Sequence, residues 1–481
     1  MYKILLISKY LRRKLAPMFA ALAVMLCTMM VIIVVSVMGG FLEMMRGAAQ
    51  RLTGDITVLA DYRGFPHYEE LLADLRKLPQ VAAATPVLRS PGMAKFEDPD
   101  YGDRVHLVEV VGIRPDEMDA IIGYRNTLYW TKDHVRDRYG HDATIDPVEH
   151  GMTFDLPAPW QRELDSDGNA GVHGMVPGIE ISPMNRRDGT GQYALVNSSL
   201  AQPATVTVAP VTQKGSVIEP RTGRFVVVNE FKSGLYDIDA QRVYVPFEAL
   251  QKMLAMDAGV AVDPETGEAV GGTIPARTSE IMIKASPGTT LEQLEEAVAW
   301  TTDEFRVRHV SEMPYLATQT WMQRHAVLLG AVQNEKGLIT FLFAIIGLVS
   351  VVMVATTFYM IVLEKTRDIG ILRALGASRS GIASIFLGYG LAIGTVGSLL
   401  GLALGVAIVT NLNPIQEVIF KLSGWRMWNP QIYYFDRIPS SVDPVEAAWI
   451  AGLAIVSSVI GALIPALLAS RLDPVEALRY E

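Results

Sequence analysis

The residues that could carry chemistry in this chain form no complete catalytic or ligand-binding motif. Asp165-Ser-Asp-Gly-Asn169 resembles the opening of a calcium loop. Such a loop needs further oxygen ligands and a distal bidentate Glu. Neither follows, and a solvated turn accounts for the segment. The eight His residues show no H-E-x-x-H or other ligand spacing. No Ser stands in a G-x-S-x-G turn, and no pair of carboxylates occupies a recognisable acid/base setting. Asp98, Asp100 and Asp103 read as an exposed acidic loop. No G-x-x-x-x-G-K-[ST] is available to cradle a nucleotide phosphate, so this chain should not hydrolyse ATP itself. The expectation is no catalytic residue, no metal and no cofactor.

One segment does have the makings of a contact site: Glu364-Lys-Thr-Arg-Asp-Ile-Gly-Ile-Leu-Arg-Ala-Leu-Gly-Ala-Ser378. Ile369, Leu372, Ala374 and Leu375 predict an apolar face on a short helix, and Lys365, Arg367, Asp368 and Arg373 predict a charged remainder. An amphipathic helix of this kind either lies on a lipid surface or docks in a groove of a partner. Physics alone leaves both open.

The elements that would position it are membrane spans. Half of the 481 residues are hydrophobic, and the mean hydropathy is +0.25. The apolar residues collect in four runs, 17–42, 338–363, 382–409 and 446–469. Each has the ~20 residues needed to cross ~30 Å of hydrocarbon. A helix satisfies its own backbone polar groups there, so each run is predicted helical. The first run exceeds the ~7–15 apolar residues of a signal peptide and reads as an uncleaved anchor. Cys27, the single cysteine, lies inside it; Met25 and Leu26 stand where a lipobox wants small residues, and the chain uses no internal disulfide.

Residues 1–16 carry Lys3, Lys9, Arg12, Arg13 and Lys14 and no acidic residue, and the loop after the second span adds Lys365, Arg367, Arg373 and Arg379. Basic flanks stay cytoplasmic. The predicted layout is a cytoplasmic segment 1–16, a span 17–42, an extracytoplasmic domain 43–335, a span 336–363 and a cytoplasmic loop 364–381. A span 382–410, an extracytoplasmic loop 411–445, a span 446–469 and a cytoplasmic tail 470–481 complete it. The domain has a net charge of −15 and the rest of the chain +6, with nothing that suggests nucleic acid.

Within the domain, 68–78 and 247–256 are predicted helices and 105–112, 225–229 and 242–245 strands. Residues 280–285, 291–300 and 306–310 read as strand, helix, strand, and 314–335 as a helix entering the second span. Residues 117–175 read as an irregular insertion. The fold class is therefore a membrane protein of four transmembrane α-helices, with a large mixed α/β extracytoplasmic domain between the first and second. Gly390, Gly394, Gly397, Gly401 and Gly405 recur three or four apart and share one side of the third span. Close helix packing within one protomer and a dimer face both use such a stripe. Trp425, Trp428, Tyr433, Tyr434 and Phe435 suit an interfacial aromatic belt.

Several segments, taken in order, resemble one family. Glu364-Lys365 followed by Asp368-Ile-Gly-Ile-Leu-Arg-Ala-Leu-Gly-Ala-Ser378 resembles the coupling segment of FtsX/MacB-type permeases. Ser36-Val-Met-Gly-Gly-Phe41, Ser233-Gly-Leu-Tyr-Asp-Ile-Asp239 with Val243-Tyr244, Asn411-Leu-Asn-Pro414 and the tail Asp473-Pro-Val-Glu-Ala-Leu-Arg-Tyr-Glu481 are similar to LolC/LolE lipoprotein-releasing permeases. The 117–175 stretch has no counterpart in that pattern.

The resemblance implies the permease subunit of an ABC complex in the inner membrane. A separate ATP-binding subunit would engage Glu364, Lys365, Arg367, Asp368, Ile369, Ile371, Leu372, Arg373, Leu375 and Gly376. A second permease protomer, of the same or a sister chain, would complete the path. Lipoproteins would leave the outer leaflet for a periplasmic carrier. Val37, Met38, Phe41 and Met44, at the outer end of the first span, are the positional candidates for lipid or substrate contact; packing at a helix end is the alternative for them. The rival readings are a MacB-type export permease with a separate ATPase and an FtsX-like regulator of a cell-wall hydrolase.

Overall fold

The computed structural model describes residues 15–61, 63–97, 102–132, 146–157, 172–181, 185, 192–193, 199–211, 219–262, 269–310, 314–424, 428 and 437–473. The basic N-terminal residues through Lys14, Asp98, Asp100, the 165–169 segment, Trp425, Tyr433, Tyr434, Phe435 and the tail beyond Asp473 lie outside them. The chain forms two compact units. One holds residues 1–44, 328–428 and 437–481, and the other residues 45–327 and 429–436.

The elements used below are, in chain order, α1 (Leu15–Thr53), β1 (Ile56–Leu59), α2 (Tyr68–Arg76), β2 (Val81–Phe96), β3 (Arg104–Ile113), α3 (Pro115–Ile122), α4 (Pro147–Thr153), β4 (His173–Pro177), β5 (Pro203–Val208), β6 (Arg221–Val227) and β7 (Arg242–Pro246). There follow α5 (Phe247–Met253), β8 (Glu280–Ala285), α6 (Leu291–Arg308), β9 (Ala317–Thr320), α7 (Ala326–Glu364), α8 (Thr366–Ala374), α9 (Arg379–Thr410), α10 (Leu412–Ser423) and α11 (Pro444–Arg471). Four stretches are long and apolar enough to cross a membrane: Pro17–Ala48, Leu329–Glu364, Arg379–Thr410 and Pro444–Arg471.

In the bundle, glycine decides which helices meet. A Cβ on Gly390 would lie 2.6 Å from Ala462 Cβ of α11, and one on Gly394 2.8 Å from Ser458 Cβ. Nearly one turn onward the partner changes to α1. A Cβ on Gly397 would come within 2.9 Å of Ala21 O, and one on Gly401 within 2.5 Å of Met25 O. Gly405 faces Ile32. Lipid is as apolar as leucine, so close van der Waals contact of this kind is what holds spans together. Ser458 Oγ adds a 2.9 Å hydrogen bond to Gly390 O. The stripe thus packs α9 against two neighbours of the same chain.

The ends of the spans are also tied. Ser441 N donates to Ser36 O at 3.0 Å, and Gly40 admits Ser440 where a Cβ would lie 2.5 Å from its backbone. Lys336 and Glu446 pair at 2.7 Å. These contacts put the C-terminal part of the α1 span, the start of α7 and the start of α11 at one end of the bundle.

In the other unit nine strands run in the order β9-β1-β8-β2-β3-β7-β4-β6-β5, and β2 pairs again with β5. Gly92–Phe96 of β2 bond to β3 on one side and to β5 on the other. Strands β2, β3, β7, β4, β6 and β5 therefore close a ring. Ala94, Val108, Val110, Met175, Val206, Phe225, Val227, Val243 and Val245 from these strands share one buried cluster. The first half of β2 instead continues a sheet with β8 and β1, packed by Leu71, Leu72 and Leu75 of α2 and Leu294, Val298 and Phe305 of α6.

Three expectations from the sequence are corrected. The 117–175 stretch is irregular only in part: α3 buries Met118, Ile121 and Ile122, and β4 is a member of the ring. Its Gly and Pro content hid a strand of five residues. Residues 306–308 are the last turn of α6, not a strand, because Thr290 caps that helix with Gln293 and its 18 residues run unbroken. Residues 314–335 hold β9 and a single helical turn, Trp321–Arg324, before α7 begins. A second capping box, Thr320 with Gln323, starts a new helix there.

Candidate coupling site

Residues 366–374 form α8, and its N-terminal neighbour Lys365 bonds Asp368 Oδ2 at 2.7 Å. The helix is short because Gly376 follows at φ +93, a left-handed value that glycine tolerates. Ser378 then caps α9 through Gly381 N at 3.1 Å. The single apolar face expected from the sequence is two faces. Ile369 is buried and Leu372 half-buried, and both turn inward. Ile371 and Leu375 turn outward, and Leu375 is 80% exposed. Residues two apart on a helix are about 200° apart, which separates Ile369 from Ile371. Arg367, Ala374 and Gly376 are exposed with the outward set.

The inward set lines an open apolar pocket of about 80 Å³. Phe358 and Ile361 of α7, Ile369 and Leu372 of α8, and Phe386 and Tyr389 of α9 line it, with Glu364, Lys365 and Asp368 at hand. Arg373 lies on this inner side. Its Nε is buried without a hydrogen-bond partner among the described residues.

Val37, Met38, Phe41 and Met44 are all half-buried on α1. Val37, Phe41 and Met44, spaced four and three residues apart, share a face. No described cavity includes them. In the Ser233–Asp239 segment, the buried Asp239 carboxylate accepts from Ser233 N at 2.8 Å and Gly234 N at 3.3 Å. That turn presents Tyr236, 53% exposed.

Motif reading missed a chain of charges in the large domain. Arg242 meets Glu109 at 2.7 Å, Glu109 meets Arg89 at 3.2 Å, Arg89 meets Glu280 at 2.9 Å, and Glu280 meets Arg324 at 2.8 Å. Burial opposes charge on Glu109, but Arg242 and Arg89 outweigh it and push its carboxyl down to about 2. Burial likewise opposes charge on Glu280, and Arg89 and Arg324 win there too. His325 lies beside this chain; burial, then Arg324, Arg242 and Arg89, hold its imidazole below the usual value. The available sequence signal was charged residues inside apolar strands, as in Val108-Glu109-Val110 and Leu88-Arg89.

Residues 340–474 match the family model described as FtsX-like permease C-terminal. Over 465 residues, 96% of this chain and 94% of the other, the chain is 25% identical to the lipoprotein-releasing system transmembrane protein LolC of Xylella fastidiosa. It is 27% identical to LolC of Neisseria meningitidis serogroup B, over 57% of this chain and 60% of that protein. The crystal structure of the periplasmic region of MacB from Actinobacillus actinomycetemcomitans aligns with a TM-score of 0.30 at 12% identity, covering 58% of this chain and 95% of that one. The similarity to LolC extends along nearly the whole chain, and that to the FtsX-like permease family covers its C-terminal spans.

Proposed function

We propose that this chain is the permease subunit of an ATP-driven ABC complex that extracts lipoproteins from the outer leaflet of the inner membrane and passes them to a periplasmic carrier. The observation that carries the reading is the end-to-end match with LolC, across spans and domain alike. Both termini and α8 face the cytoplasm, as the basic flanks favour, and the large domain is periplasmic. A second permease protomer completes the path. Membrane lipid surrounds the spans.

ATP hydrolysis belongs to a separate subunit, which docks on the outward face of α8 through Arg367, Ile371, Leu375 and Gly376. The inward residues Ile369, Leu372 and Arg373, with Lys365 and Asp368, pass its movement to α7 and α9. A lever of this kind works when ATP binds the two states of the complex unequally. Val37, Met38, Phe41 and Met44 are offered as the acyl-chain contacts.

Leu375→Glu and Ile371→Glu test the assignment. Losing one buried leucine or isoleucine from a docked face costs about 1.5–3 kcal/mol, at least about tenfold in affinity. Each variant should insert normally, yet lose its co-purifying ATPase and the release of acylated lipoproteins. Retention of both would show that α8 is only a surface helix. An ATPase that co-purifies with a cell-wall hydrolase, and without lipoprotein, would replace the release reading with the regulatory one.

A further inference from the structure

Helix α10 follows the third span after a single residue, Asn411, and is strongly amphipathic. Leu412, Ile415, Val418, Ile419 and Leu422 fall within about 120° of arc, and Glu417 and Lys421 lie opposite. No residue of this helix is buried. Ile415, Val418 and Leu422 are 37%, 56% and 83% exposed. Twelve residues with an exposed apolar stripe do not hold a helix in water by propensity alone.

The polar side is already engaged. Asn413 Oδ1 accepts from Ile438 N at 2.9 Å, and its Nδ2 donates to Ile438 O at 3.3 Å. Gln416 does the same with Trp428, at 3.2 Å in both directions. Each side-chain amide thus substitutes for a strand neighbour and anchors α10 to the returning chain.

That return fixes the depth of the helix. Three residues past Ile438, Ser441 bonds Ser36 O of α1, and Ser440 Oγ donates to Val409 O of α9 at 3.5 Å. Ile438 therefore stands at the level where α9 ends, and α10 is held at that level. That level is one end of the helical bundle, where the apolar run of α9 stops. The preceding span α9 likewise leaves large apolar side chains uncovered, with Leu399, Leu400 and Leu404 exposed.

We infer that α10 is an interfacial helix. Its Leu412–Ile415–Ile419–Leu422 face is bedded in the lipid leaflet at the end of the bundle where α9 terminates. Its partner is the membrane surface. Helices of this type sink their apolar face about 5–10 Å into the boundary between headgroups and chains. The Glu417 and Lys421 charges cancel, so hydrophobic burial rather than anionic lipid charge provides the binding. This inference stands on the bundle alone and is independent of what the protein transports.

The single cysteine makes the test direct. In a Cys27→Ala background, spin labels are placed singly at Ile415, Leu422, Glu417 and Lys421. The full chain is then reconstituted in phosphatidylcholine–phosphatidylglycerol nanodiscs. Collision rates with oxygen, which concentrates in lipid, and with a water-soluble nickel chelate are compared. The expected result is an oxygen-to-nickel ratio several-fold higher at 415 and 422 than at 417 and 421. Nickel access at all four positions would place the helix in water and overturn the inference. Low access by both reagents at 415 and 422 would overturn it too, in favour of a protein covering such as a second copy of the chain.

Discussion

Glu280 accepts from two guanidinium groups at once, and both it and Arg89 are nearly shut off from solvent. Removing one partner of such a pair leaves a charge without compensation, at a cost of roughly 3–5 kcal/mol. Glu280→Ala should therefore lower the thermal midpoint of the purified protein markedly, whereas Lys77→Ala, at an exposed pair, should change little. Acid should act on the same chain of charges. Glu109 is held down to about 2, against about 4.3 for a free glutamate. Its stabilisation is complete above the unfolded value and is lost as pH falls from about 4 towards 2. Burial, with Arg324, Arg242 and Arg89, makes His325 bind its proton less readily in the fold, so the unfolded chain takes up its proton first once pH drops below about 6.5. Both groups make stability rise with pH. The midpoint should fall in two stages on acidification, and His325→Leu should reduce the first stage alone. An unchanged first stage in that variant would separate His325 from the stability of the domain.

The helices show what a pattern of residue types determines and what it leaves open. A Cβ on Gly401 would lie 2.5 Å from Met25 O and 2.8 Å from Thr28 Cβ, neither the far end of a flexible side chain. Forcing a methyl group into a packed contact costs about 1–3 kcal/mol. Gly401→Ala should therefore destabilise the bundle. Gly452→Ala, with nothing within 4 Å of its Cβ position among the described residues, should be neutral or slightly stabilising through helix propensity. Thermal unfolding in one detergent compares them. The stripe from Gly390 to Gly405 was legible because its spacing is a property of one helix. Its partners were not, since contact with α11 at one end and α1 at the other depends on how the helices cross. The same limit governs α8. A short helix was readable between Glu364 and Ser378, but the split between Ile369 and Ile371 emerged only once α7 and α9 claimed one side. In the domain, α2 and β3 were visible from periodicity, whereas the closed ring was hidden. Ring closure is set by the second pairing of β2 with β5, a contact between residues more than a hundred apart.

At the scale of the molecule, the proposed cycle must carry work from the cytoplasmic loop to the large domain. The chain passes from one unit to the other within two helices. The first, α1, runs from Leu15 to Thr53, and the second, α7, from Ala326 to Glu364. A continuous helix transmits a tilt or a shift along its axis, and a flexible insertion absorbs both. Inserting Gly-Gly-Ser-Gly after Met45 would interrupt α1 beyond its apolar run and leave the contacts at Gly397, Gly401 and Gly405 in place. Such a variant should still insert, bind its ATPase through α8 and hydrolyse ATP, while lipoprotein release falls by an order of magnitude or more. The same insertion after Glu43, within unit 1, serves as a second position, so that a local folding defect at one site does not decide the outcome. If release persists at the wild-type rate with both insertions, work reaches the domain by α7 alone. If ATP hydrolysis is lost together with release, α1 acts in assembling the bundle rather than in transmission.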